Sequence, residues 1–144
     1  MTEPKEEINV PRGLIDVHEN YRSKQNGIDE SDWCRAGLDE VKQNMVKTGY
    51  PLDKFIFVEG KVENTLPNTL PDEIAILRLD TDWYESTKQE LIHLFPRLVS
   101  KGVIIVDDYY SWTGSKQAVD EYLDSINSPI FLKRVANTVI GVKP

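Results

Sequence analysis

Two short apolar runs, each closed by aspartates, constrain this chain more than any other feature. Ile74–Leu79 leads into Asp80-Thr81-Asp82, and residues 103–106 (Val-Ile-Ile-Val) lead into Asp107-Asp108. Between them, residues 85–98 carry Leu91, Leu94, Phe95 and Leu98 on one helical face, and Lys101-Gly102 supplies a stop. An apolar run, an amphipathic helix and a second apolar run read as strand-helix-strand, the crossover that makes two strands parallel. The run at 103–106 is apolar throughout, as a strand covered on both faces should be. Neighbouring strands lie roughly 4.8 Å apart, so the aspartate blocks are expected to meet at the carboxyl edge of the sheet. Open α/β folds bind their ligands at that edge.

The rest of the chain fits around this unit. Leu38, Val41, Met45 and Val46 recur at helical spacing before Gly49 and Pro51, which predicts a helix over 38–48. Phe55-Ile56-Phe57-Val58, closed by Gly60, reads as a buried strand. Ala118, Val119, Tyr122, Leu123 and Ile126 mark a helix over 115–126, and strands at 129–135 and 138–142 are joined by a tight turn at Ala136-Asn137. Residues 1–12 read as a charged, mobile leader and 13–31 as mostly loop. The expected fold class is α/β, an incomplete Rossmann-like sheet, mainly parallel with a C-terminal antiparallel hairpin, in a single domain over 13–144.

Composition narrows the function. A net charge of -7 without any lysine or arginine cluster argues against nucleic acid as a partner. No run approaches the roughly 20 apolar residues of a membrane span, and residues 1–7 are charged with no apolar run behind them, so a cytoplasmic, non-membrane protein is expected. Cys34 is the single cysteine, which excludes an intrachain disulfide and a thiolate zinc site.

Carboxylates gathered at one sheet edge repel one another unless a cation neutralises them. Asp80, Asp107 and Asp108 are therefore expected to bind a metal, and oxygen-only donors favour magnesium, with manganese or calcium as alternatives. Asp82 is read as a cap of the following helix or as a residue that ends the strand. The hydroxyls of Tyr84, Ser86 and Thr87 are read as helix caps, with the lining of an acceptor pocket as the alternative. Trp83 and Trp112 are assigned to packing, with sugar stacking as the alternative, and neither His18 nor His93 receives a catalytic role.

The segment 77–87, Leu94-Phe95-Pro96-Arg97-Leu98, Asp107-Asp108-Tyr109 and Ala118-Val119-Asp120-Glu121-Tyr122 resemble the macrocin O-methyltransferase (TylF) family. Asp39-Glu40-Val41-Lys42, Val58-Glu59-Gly60 and Asn64-Thr65-Leu66-Pro67 are similar to its pattern as well. The resemblance covers roughly residues 32–142. It implies a class I methyltransferase fold, S-adenosylmethionine and Mg2+ (or Mn2+) as cofactors, and a sugar or glycosylated natural product as acceptor. It places the metal ligands on Asp80, Asp107 and Asp108 and the general base on Asp80. Gly60 and Lys61 fall where such folds approach the adenosine, although a plain strand-ending turn explains them equally.

Methyltransferases of this class hold the cofactor's methionine end on a glycine-rich turn and its ribose on an acidic residue after the second strand. None of the eight glycines stands close to another in sequence, so that turn is absent. The chain is accordingly expected to be the C-terminal portion of such an enzyme, with little activity alone, and a non-catalytic remnant or metal-binding module is the rival reading. A haloacid-dehalogenase-like phosphatase is disfavoured because one helix fills the space between the aspartate blocks; a DxD glycosyltransferase has no other support. In the family's strand order 3-2-1-4-5-7-6, residues 55–58 become strand three, Ile74–Leu79 strand four and 103–106 strand five. Strand four is then an exposed edge. It is expected either to gain the 55–58 strand as a neighbour or to pair with a second copy of the chain or a separate N-terminal piece.

Overall fold

The computed structural model describes residues 21–27, 30–32 and 36–144. The expected leader at 1–12 lies outside these, as do His18 and Cys34. The chain divides into two compact units that meet in sequence at Gly60 and Lys61.

In the first unit, β1 (Gln25–Gly27) and β2 (Glu30–Ser31) form a small antiparallel pair. Helix α1 (Leu38–Lys47) agrees within a residue with the predicted span. It stops where Thr48 turns back, its amide and hydroxyl both donating to the Met45 carbonyl, and Gly49 follows at φ 72°. The strand expected at 55–58 does not form. These residues follow a single 3-10 turn (Leu52–Lys54) in an irregular path, and Ile56 is 86% exposed. A strand needs a neighbour to take its backbone hydrogen bonds, and none of the described strands pairs with this segment. Its aromatic residues pack locally instead: Phe57 lies 6.0 Å from Phe55, and Lys42 Nζ lies 5.8 Å from the Phe57 ring centre.

The second unit carries the main sheet. Its elements in order are α2 (Val62–Thr65), β3 (Ile74–Leu79), α3 (Tyr84–Leu94), β4 (Leu98–Val106), α4 (Thr113–Ser125), β5 (Lys133–Val135) and β6 (Thr138–Val142). The strand order is β3-β4-β6-β5, with β3 and β4 parallel and the other two pairs antiparallel. The α/β class, the crossover and the closing hairpin all follow the sequence reading. Ala136, the first residue of the hairpin turn, takes φ 55°, the positive value that a two-residue turn between twisted strands requires. Among the described residues β3 is a sheet edge, and residues 55–58 form no strand.

The helix of the crossover is shorter than its apolar pattern suggests. It ends at Leu94, and Phe95–Arg97 tightens into a 3-10 turn, because Pro96 can neither donate to the helix nor fit inside it. The chain then enters β4 at Leu98, earlier than the expected 103. Lys101-Gly102, read as a helix stop, sits inside β4 where the register slips from Ile74↔Leu98 to Ile76↔Val103. Lys101 has φ 65° and its amide donates to the Lys143 carbonyl at 2.7 Å.

Leu77 and Leu79 of β3, Ile104 and Val106 of β4 and Val139 of β6 are buried against Leu91, Phe95, Val119 and Leu123. Burying each large aliphatic side chain contributes about 1.5–3 kcal/mol before chain entropy is counted. This core fixes the direction of β3 and β4, and thereby what lies at their carboxyl ends.

Candidate metal and active site

Asp80 directly follows β3 and Asp107 directly follows β4. The Asp107 amide donates to the Leu79 carbonyl at 2.9 Å, so the two strand ends are joined by the last rung of their ladder. The chain then turns sharply on both sides. Asp82 has φ 63° and Asp108 φ 48°, a left-handed conformation that aspartate tolerates better than most residues. These turns bring one carboxylate oxygen from each of Asp80, Asp82 and Asp108 within 4.8 Å of one another.

Of the three residues expected from sequence to bind a metal, Asp80 and Asp108 are brought together, with Asp82 beside them. Asp107 is directed elsewhere: its Oδ1 accepts from Thr138 Oγ1 at 2.8 Å and its Oδ2 from Arg78 Nη2 at 2.5 Å. The same Arg78 nitrogen donates to Asp80 Oδ2 at 3.1 Å. Arg78 thus sits between two of the acids, and their charge raises its pKa further, through the hydrogen bond to Asp80 first and the field of Asp107 next. The Thr138 hydrogen bond, with the nearby guanidinium, holds the Asp107 carboxyl below the usual carboxylate range.

Asp82, which the sequence reading leaves out of the metal set, stands in this group. The N-cap of α3 is Trp83, with no side-chain capping bond, so Asp82 caps nothing. Its Oδ1 is buried without a hydrogen-bond partner. Burial first, and then the charges of Asp108, Asp80 and Asp107, push its pKa up to about 7. The available signal was the Asp80-Thr81-Asp82 spacing itself, which places two acids around one small residue at a strand end.

The surroundings are orderly. Ser111 Oγ donates to Asp108 Oδ1 at 2.9 Å, and the Trp112 amide donates to the Asp108 carbonyl at 3.0 Å. Trp83 and Trp112 meet edge to face with ring centres 5.3 Å apart, which agrees with a packing role. The expected hydroxyl caps are not caps. Ser86 Oγ donates to the carbonyls of Trp83 and Thr81, Thr87 Oγ1 lies 3.3 Å from Thr81 Oγ1, and Tyr84 donates to Glu121 on α4 at 2.7 Å. Gly60, at φ 135°, ends the first unit, and Lys61 is the exposed residue that precedes α2. Neither belongs to the carboxylate group.

Converging oxygen donors, one of them buried and unpartnered, suit a hard divalent cation, and such a cation can stabilise an alkoxide forming on an acceptor hydroxyl. Known proteins match this chain over much of its length. A family model described as Macrocin-O-methyltransferase (TylF) matches residues 10–140. The demethyldecarbamoylnovobiocin O-methyltransferase of Streptomyces niveus is 39% identical over 58% of this chain and 32% of its own length. The mycinamicin III 3''-O-methyltransferase of Micromonospora griseorubida is 36% identical over 76% of this chain and 41% of its own length. The chain thus spans well under half of the relatives it matches. Among solved structures, the O-methyltransferase NovP superposes with a TM-score of 0.72 at 32% identity, covering 75% of this chain and 45% of that one. The calicheamicin methyltransferase CalS11 shares the fold, with a TM-score of 0.57 at 20% identity over 84% of this chain and 54% of that one.

Proposed function

Because the chain belongs to the macrocin O-methyltransferase (TylF) family, we propose that it forms the acceptor-side half of a metal-dependent, S-adenosylmethionine-dependent sugar O-methyltransferase. The observation that carries the proposal is the convergence of Asp80, Asp82 and Asp108 at the end of the β3–β4 pair. Relatives that are O-methyltransferases of demethyldecarbamoylnovobiocin, of a rhamnosyl tetracenomycin C and of mycinamicin III support a glycosylated natural product as acceptor.

S-adenosylmethionine, when bound, supplies a methyl group already activated for transfer, which leaves the protein to align an acceptor hydroxyl and take up its proton. Asp80, Asp82 and Asp108 would hold a magnesium or manganese ion, which lowers the energy of the developing alkoxide. Asp107 is held by Arg78 and Thr138, so it joins the ligands only if the ion displaces Arg78. The general base implied by the family pattern is Asp80. The geometry favours Asp82, since Asp80 Oδ2 already accepts from Arg78 whereas Asp82 Oδ1 accepts from nothing. A carboxylate without donors is the better proton acceptor.

The second reading is a metal-binding module without methyl transfer, supported by the carboxylate group itself, which would hold an ion whether or not a methyl donor binds. Calorimetric titration of the chain with S-adenosylmethionine, with and without magnesium, separates the two. Binding that strengthens with magnesium, followed by labelled-methyl transfer to a novobiocin- or mycinamicin-type precursor, supports the enzyme. Metal binding without either supports the module. Absence of metal binding overturns both.

A further inference from the structure

Thr81, between the two acids of the β3 end, is tied to α3 through every polar atom its side chain and carbonyl offer. Its Oγ1 donates to Glu90 Oε2 at 2.8 Å and lies 3.3 Å from Thr87 Oγ1. Its carbonyl accepts from the Trp83 amide at 2.7 Å and from Ser86 Oγ at 3.3 Å. Ser86, Thr87 and Glu90 are all buried, and Glu90 is only 8% exposed. A carboxylate in that position is expensive to keep unless it is hydrogen-bonded to something that needs it, and the core would accept an apolar residue there at less expense.

We propose that Glu90 is a positioning residue: it anchors Thr81 from behind and so holds Asp80 and Asp82 in the converging arrangement that a divalent ion requires. The proposal extends the metal-site reading and adds a group that no ion would touch. The mechanical logic is local. Thr81 turns its hydroxyl toward α3 while the carboxylates on either side of it converge with Asp108. Asp82 holds φ 63°, a conformation that costs about 1–3 kcal/mol and persists only where its surroundings impose it. The contacts that impose it are the Trp83 and Ser86 bonds to the Thr81 carbonyl and the Glu90 and Thr87 contacts to its hydroxyl. Released from Glu90, Thr81 would let the turn relax and the three oxygens spread.

The test uses the whole chain and manganese alone, with binding read by water proton relaxation. Glu90→Leu should weaken Mn2+ binding about ten-fold or more, the usual loss when a group that orients a ligand is removed. Its melting temperature should be equal to or above the parent's, because an apolar residue replaces a buried acid. Glu90→Gln, whose amide oxygen can still accept from Thr81, should bind Mn2+ within about three-fold of the parent. Thr81→Val should reproduce the Glu90→Leu loss, and the double variant should be no worse than either. A second readout is independent of metal: hydrogen exchange at the Trp83 amide should be slow in the parent and Glu90→Gln, and fast in Glu90→Leu. If the parent binds no Mn2+, the metal reading fails while the exchange result still decides the anchor. A Glu90→Leu protein with unchanged Mn2+ affinity, or with a Trp83 amide as protected as the parent's, overturns the proposal.

Discussion

Arg78 and Asp107, on neighbouring strands, are joined at 2.5 Å, and the same guanidinium nitrogen reaches Asp80 at 3.1 Å. A single positive group therefore stands among four acids, on the spot where a dication would bring more charge. The Arg78 and Asp80 side chains are each more than half exposed, so the ion pairs themselves contribute only about 0–1 kcal/mol to stability. Arg78→Gln is expected to lower metal-free stability by no more than that. It should also tighten Mg2+ or Mn2+ binding several-fold, because the ion no longer competes with the guanidinium for Asp80 and Asp107. Titration by calorimetry checks the sign, and weaker binding in the variant would make Arg78 a helper of the ion rather than its competitor.

Removing the acids should separate those that converge from the one that is tied down. Mn2+ is expected to raise the melting temperature of the parent by mass action. Asp82→Asn and Asp108→Asn should abolish most of that rise, and Asp107→Asn, whose oxygens are engaged by Thr138 and Arg78, should keep a larger part of it. Thermal scans at several Mn2+ concentrations give the comparison. An Asp82→Asn protein that responds as fully as the parent would falsify its place in the set.

How far the sequence reveals this site depends on the range of the interactions involved. β3 is legible to the residue, because Ile74–Leu79 is apolar except for Arg78 and closed by acids, and the convergence of the aspartate blocks follows from the crossover alone. The segment at 55–58 has the same local signal, but pairing is a property of the neighbour rather than the segment, and the described strands offer none. The end of the crossover helix is misread because Lys101-Gly102 has the composition of a cap, whereas Pro96 stops the helix a full turn earlier. The division of labour between Asp82 and Asp107 is not legible either. It rests on the left-handed turn at Asp82 and on Arg78, which stands two residues before Asp80 and therefore on the same face of the strand.

Acid should stabilise the metal-free protein, contrary to the usual behaviour of carboxylates. Burial first raises the pKa of both Asp82 and Glu90, from ordinary values of 3.8 and 4.5 to about 7. The folded state then holds protons that the unfolded chain has already lost, so the stabilisation is fully present near pH 4 and disappears as pH rises through 7. The loss across this window is expected to be about 1–3 kcal/mol, once relaxation and water entry are allowed for. Urea unfolding between pH 4.5 and 8 measures it. Asp82→Asn and Glu90→Gln should each flatten the slope, and Mn2+ affinity should rise over the same window as Asp82 loses its proton. A stability that climbs from pH 4.5 to 8 would contradict the burial of both groups.

The irregular passage in β4 carries the last expectation. Gly102 lies where a Cβ would come within 2.7 Å of Leu98 Cδ1 and 2.8 Å of the Val99 carbonyl oxygen. Leu98 is fully buried in the core, so its side chain has little room to yield, and the carbonyl belongs to the backbone and cannot swing away. The Gly102 carbonyl also accepts from the Lys143 amide at 2.9 Å, which fixes the segment from the β6 side. Gly102→Ala is therefore expected to destabilise the protein by about 1–3 kcal/mol through overpacking. Gly102 lies only five residues before Asp107, but the intervening residues 103–106 are held between β3 and β6, so Mn2+ affinity of the folded variant should be unchanged. Urea midpoints and Mn2+ titrations on one preparation test both halves: a variant as stable as the parent would mean that β4 shifts freely at this point, and weakened Mn2+ binding would mean that the shift travels along the strand to Asp107 and Asp108.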